Sequence, residues 1–151
     1  MLFVPGGAHV FGYVSSSTAG TRPASAQGTS ITPGTAGFGT YTQIGTDLQN
    51  DAYGLLIGIN SNSANNASRR TVVNIGVDLA GGTTFTTLIP NLVAGGVPTY
   101  ITEGTANYYY FPVFIPAGAA IGAQAYGSVN TAIRVFSQRY LRPRNPAVIR
   151  L

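Results

Sequence analysis

Apolar and polar residues alternate with a period of two through the central part of the chain. Leu55, Ile57 and Ile59 fall on one side of a run whose other side carries Gly58 and Asn60. Val73, Ile75, Val77 and Leu79 alternate with Asn74, Gly76 and Asp78. Ala119, Ile121, Ala123 and Ala125 share a face opposed by Gly122, Gln124 and Tyr126, and Ile133 and Val135 alternate with Arg134 and Phe136. Side chains of a strand point alternately to its two faces, so this pattern predicts half-buried strands with one face on a core. No apolar stripe of helical period competes with it. Polar residues that favour helices are scarce, and Glu103 is the only Glu.

Turn-forming residues separate the runs: Asn50–Asp51, the polar stretch 60–68, Ala80–Gly82, Ala94–Gly96, Pro116–Gly118 and Gly127–Asn130. They divide the centre into strands at roughly 40–48, 52–60, 70–79, 83–90, a weak one at 97–102, then 107–115, 119–127 and 131–139. About eight short antiparallel strands in so little chain predict an all-β, antiparallel β-sandwich of the jelly-roll type. The Cys and Trp landmarks of an immunoglobulin sandwich are missing.

Two flanks differ in texture. Residues 1–38 are rich in Gly, Ser, Thr, Ala and Pro, with one apolar patch of Val10, Phe11, Tyr13 and Val14. Such a segment buries little apolar surface of its own and reads as an extended arm, ordered by a neighbour through that patch. Residues 142–151 carry two prolines and three arginines and read as an extended basic tail. The expected organisation is therefore an arm over 1–38, a sandwich over 39–141 and a tail over 142–151.

Charge sharpens this picture. Only 8% of the 151 residues are charged, against roughly 25% in an average soluble domain. Charge keeps surfaces soluble and apart, so its scarcity fits a subunit covered by neighbours. Lys is absent, and all eight basic residues are Arg. The guanidinium pairs bidentately and stacks on aromatics, which suits interfaces. Arg134, Arg139, Arg142, Arg144 and Arg150 concentrate the net charge of +4 toward the C-terminus. Arg139, Arg142, Arg144 and Arg150 are candidate interface residues, and the last three are expected to meet acidic groups across an interface. The tail has too few charges, and no Lys run, to argue for nucleic acid.

The chemical inventory is thin. There is no Cys, hence no disulfide framework, thiolate site or Cys nucleophile. A single histidine, His9, lies in the Gly-rich arm without a partner for acid–base work. Asp47, Asp51, Asp78 and Glu103 are the only acids. Any two could make a glycosidase pair in principle, but four acids are few for that, and the spacing of Asp47 and Asp51 does not place them on one face. Asp78 alternates with core positions and is expected to face solvent or a subunit. No Asp-rich loop suggests calcium, and one His without Cys does not hold zinc. Gly37 and Gly39 form a lone Gly-x-Gly that lacks the third glycine of a dinucleotide loop, and no Gly-x-Ser-x-Gly elbow occurs. The expectation is a protein that is not an enzyme and has no metal or cofactor.

The sequon at Asn66–Ser68 reads as chance, the first residues lack a basic start like that of a signal peptide, and no run approaches the length of a membrane span. The aromatics Tyr108 to Phe111 put rings on both faces of one strand. The outward ones, Tyr108 and Tyr110, are candidates for a subunit contact, with a sugar platform as the rival.

The segments Asp51–Ile57, Asn74–Gly76, Leu88–Leu92, Tyr109–Gly118 and Ile121–Ala125 together resemble a recurrent pattern of tailed-bacteriophage structural proteins, in which an aromatic-Pro-Val-Phe-Ile-Pro-Ala-Gly stretch leads into a strand of small residues. The resemblance spans about residues 40–138 and carries no catalytic signature. It implies a virion component assembled in the host cytoplasm, either a capsid decoration or cement protein or a neck, tail or fibre part. Its implied partners are copies of itself, with trimers favoured by family analogy, and other virion proteins such as the major capsid protein.

Overall fold

A computed structural model describes residues 8–11, 28–60, 71–94, 106–128, 130 and 132–140. They form an all-β protein of nine strands: β1 (Ala8–Phe11), β2 (Thr29–Ile31), β3 (Thr42–Gln43), β4 (Gly54–Asn60), β5 (Thr71–Asp78), β6 (Thr86–Ala94), β7 (Ala106–Phe111), β8 (Ala120–Gly127) and β9 (Ile133–Tyr140). One sheet has the order β1-β9-β4-β7, with β2 also paired to β9; the other has the order β3-β8-β5-β6.

The pairing is that of a folded ribbon. β2 lies on β9, β3 on β8, β4 on β7 and β5 on β6, each pair antiparallel and nested inside the one before. Wrapping this ribbon adds the antiparallel pairs β4·β9 and β5·β8, which complete the two sheets. Two sheets filled alternately by the strands of one ribbon make the jelly roll that the alternation predicts.

The inner faces meet in a core of Ile31, Leu55, Ile57, Ile59, Val73, Ile75, Ile115, Ile121 and Val135, each at most 3% exposed. Leu55, Ile57 and Ile59 project inward as their alternation requires, and so do Ala119, Ile121, Ala123 and Ala125. Leu79 does not: it stands past the end of β5 and is 66% exposed. The alternation holds only while the ladder lasts, and the chain turns at Asp78.

The edges of the domain differ from the expected ones. Ile31, inside the expected arm, is fully buried, and Thr29–Ile31 pairs with Ile133–Val135 of β9. Ala8–Phe11 pairs with Ser137–Tyr140 farther along the same side of β9. The strand that closes the sheet beyond β9 is thus two short strands from the polar flank. A polar segment can take this place because the ladder satisfies its backbone and only one inward residue need be apolar. The run expected at 40–48 is reduced to the two residues of β3, although Ile44 and Leu48 remain buried. Strand β6 runs past Pro90 to Ala94, beyond the expected end at 90, by means of two register shifts against β5. The weak strand expected at 97–102 lies outside the described residues.

Candidate functional site

The outer face of the β1-β9-β4-β7 sheet is built from aromatic rings laid over glycines. Register places Gly58 of β4 between Tyr108 of β7 and Phe136 of β9. The Phe136 ring fills the space where a Gly58 β-carbon would stand. Tyr108 meets the same ring edge-on at a centroid distance of 5.6 Å. One step along, the Tyr110 ring leans over Gly54, with its hydroxyl 2.7 Å from the position of the missing β-carbon, and meets Tyr140 edge-on at 5.3 Å. Glycine is poor at holding a strand, and a ring packed on its bare backbone restores the lost apolar contact.

The opposite sheet repeats the device and covers it more fully. Gly76 and Gly122 are directly paired on β5 and β8. The rings of Tyr41 and Phe85, 5.4 Å apart, lie over them, and Tyr41 shares a 2.7 Å hydrogen bond with the Thr87 hydroxyl. Tyr41 and Phe85 are both half-buried. Tyr108 and Tyr110, by contrast, are 60% and 54% exposed. Beside them, where a bridge between Ala52 and Ile115 prolongs the β4·β7 pairing, the exposed rings of Tyr53 and Phe114 meet at 5.2 Å. The most exposed aromatic surface of the described residues therefore centres on β7.

This outer face is almost uncharged. Across β9, β4 and β7 its described residues are Gly54, Leu56, Gly58, Tyr108, Tyr110, Arg134, Phe136, Gln138 and Tyr140, with Arg134 the only charge. Arg134 donates to the Gly28 carbonyl at 3.4 Å, at the β2 margin. An exposed, contiguous aromatic patch of this kind marks a contact surface, since isolated apolar residues are common but grouped ones are not.

Of the expected interface residues, Tyr108 and Tyr110 sit on this patch. Arg139 does not. It continues the inward face of β9, after Ile133, Val135 and Ser137, and is 3% exposed. Burial disfavours the guanidinium charge and lowers its pKa below the ordinary value. The side chain is part of the interior, because strand parity puts residue 139 on the core side whatever its chemistry. Val10 and Phe11 lie on β1, where their backbones pair with Gln138 and Ser137. Tyr13, Val14, Arg142, Arg144 and Arg150 lie outside the described residues. The structure adds Phe136, Tyr140, Gly54 and Gly58, which were not anticipated. Their signal was present in the alternation of Gly54, Leu56 and Gly58, but reading it needs the partner strands.

The three described carboxylates each hold a turn. Asp78 is 9% exposed, against expectation, and accepts backbone N–H groups of Ala80 at 2.9 Å and Thr84 at 2.8 Å. The turn after β5 folds back over it, so a residue on the outer side of the strand is enclosed by its own loop. Asp51 accepts the Ala117 N–H at 2.9 Å, and Asp47 accepts from the Gln43 side chain at 2.8 Å. Among the described residues no three His, Cys, Asp or Glu side chains gather into a metal-binding group. No described helix is long and apolar enough to cross a membrane. The chain matches no protein-family model, no curated protein and no solved structure.

Proposed function

We propose that this protein is a non-enzymatic structural component of a tailed-bacteriophage virion, a capsid decoration or cement protein that stabilises the particle through subunit contacts. The observation that carries the reading is the neutral aromatic outer face centred on Tyr108 and Tyr110. It is joined by the sparse charge of the whole chain and by the resemblance of residues 40–138 to virion proteins. A jelly roll with one aromatic, nearly uncharged face suits permanent burial against neighbours. Its partners are copies of itself, with trimers favoured, and the major capsid protein. Its place is the virion, assembled in the host cytoplasm.

A second reading rests on the same rings. More than half of each of the Tyr108 and Tyr110 side chains is open to solvent. Exposed aromatic faces stack on sugar rings, so a neck, tail or fibre component with a glycan-recognition surface is the alternative.

Quantitative mass spectrometry of purified particles separates the two. A decoration protein is expected in many copies, comparable with the major capsid protein. A few copies confined to the tail, with glycan binding lost in a Tyr108→Ala/Tyr110→Ala variant, would replace the first reading with the second. Absence from particles would overturn both.

A further inference from the structure

The two sheets end in four edges, and they are not alike. β3 is two residues long. β6 carries two register shifts, Pro90, and Asn91 in the left-handed region at φ 58°. The margin beyond β9 is split between the short strands β1 and β2. Shortness, bulges and proline are the means by which proteins stop sheet edges from pairing with another chain. β7 has none of them. It runs six residues, Ala106–Phe111, in unbroken register with β4, without charge, Pro or Gly and with four consecutive aromatics. Among the described residues no strand pairs with its outer side.

We propose that β7 is a dimerisation edge, pairing antiparallel with β7 of a second copy so that the β1-β9-β4-β7 sheet runs continuously through both molecules. The sequence identifies the occupant. Tyr108-Tyr109-Tyr110 is symmetric about Tyr109, with Asn107 and Phe111 on its two sides. A two-fold axis perpendicular to the sheet keeps the outer face outward in both copies, so residues of like face must oppose each other. Centred on Tyr109, that register sets Tyr108 against Tyr110 of the second copy, twice. Cross-strand aromatic pairs are among the most stabilising in a sheet.

The area is adequate as well. A specific contact buries on the order of 1,000 Å² in total. A ladder of about 20 Å, flanked by Tyr108, Tyr110, Phe114 and Val93, each more than half exposed, offers surface of that scale. Two inward groups of β7 already brace the edge from within: the Tyr109 hydroxyl and the Asn107 amide donate to the Val93 carbonyl at 2.6 and 3.2 Å. The contact is independent of the virion reading, because it belongs to the purified chain whatever particle it joins. It leaves three-fold contacts to other surfaces.

The test uses the full chain in sedimentation equilibrium. The unmodified protein should self-associate through a two-fold step. Tyr108→Lys/Tyr110→Lys places ammonium groups opposite one another across the axis and should weaken association by about tenfold or more. Tyr108→Lys/Tyr110→Asp puts an ammonium opposite a carboxylate in the Tyr109-centred register and should restore it. The chain has no Cys, so Tyr108→Cys/Tyr110→Cys gives a second measurement that survives any folding defect of the charged variants: oxidation should yield a covalent dimer. A monomeric parent protein, a Lys/Lys variant that associates like the parent, a Lys/Asp variant as weak as Lys/Lys, or no cross-linked dimer would each overturn the proposal.

Discussion

Gly58 of β4 and Phe136 of β9 oppose each other in register, and the phenyl ring occupies the volume a side chain at 58 would need. The bare backbone of one strand and the large ring of the next are thus one packing unit. Gly58→Ala should destabilise the domain by about 1–3 kcal/mol, the usual penalty of overpacking. In the Phe136→Ala background the same change should cost much less. A double-mutant cycle by urea denaturation measures the coupling, and simple additivity would show that the ring does not depend on the glycine.

Asp78 should matter for folding. Its carboxylate satisfies the Ala80 and Thr84 N–H groups inside a closed turn. Asp78→Ala leaves both donors without that acceptor and should cost about 1–3 kcal/mol. Asp78→Asn keeps one oxygen and should cost less. Thermal unfolding followed by circular dichroism ranks the three proteins; equal melting temperatures would mean that water replaces the carboxylate freely.

The bulge in β6 rests on another side chain. Asn74 is buried and its Oδ1 accepts the Asn91 N–H at 2.8 Å, while Asn91 holds a positive φ. Asn91→Gly should be nearly neutral, because glycine adopts that backbone freely. Asn91→Ala should cost about 1–2 kcal/mol. Chemical denaturation of the two variants checks the order, and an equal loss in both would show that the Asn91 side chain, rather than its backbone, holds the bulge.

Ile31 tests where the domain starts. It is fully buried and packs in the main core from a strand of only three residues. Ile31→Ala should cost about 2–5 kcal/mol, in the range of other large-to-small core changes. Removing residues 1–38 should therefore lower stability sharply, whereas an arm ordered only by neighbours could be lost without that effect. A truncated protein with an unchanged melting temperature would return Ile31 to the arm.

The sequence alone determined most of the central strands and which of their faces forms the core. Strand alternation is local: consecutive side chains point oppositely, so Leu55, Ile57 and Ile59, or Ile121, Ala123 and Ala125, declare the core without reference to a partner. The jelly-roll class followed from the number and spacing of such strands. The outward position of Tyr108 and Tyr110 was legible for the same reason. Features that depend on a partner far away in the chain came from the assembled sheets. Phe136 and Gly58 become one unit through a register set across the sheet, and neither residue announces the other. Arg139 looks like an interface cation by composition, yet it lies inside because β9 continues inward past Val135. Asp78 looks solvent-facing by alternation, yet its own turn folds over it. Ile31 stands in a stretch too polar to fold by itself, and it joins the core because β9 supplies the ladder that the stretch cannot make alone. Long-range pairing fixes backbone that local chemistry leaves open, and the free energy that settles it is shared among strands rather than written in any one of them.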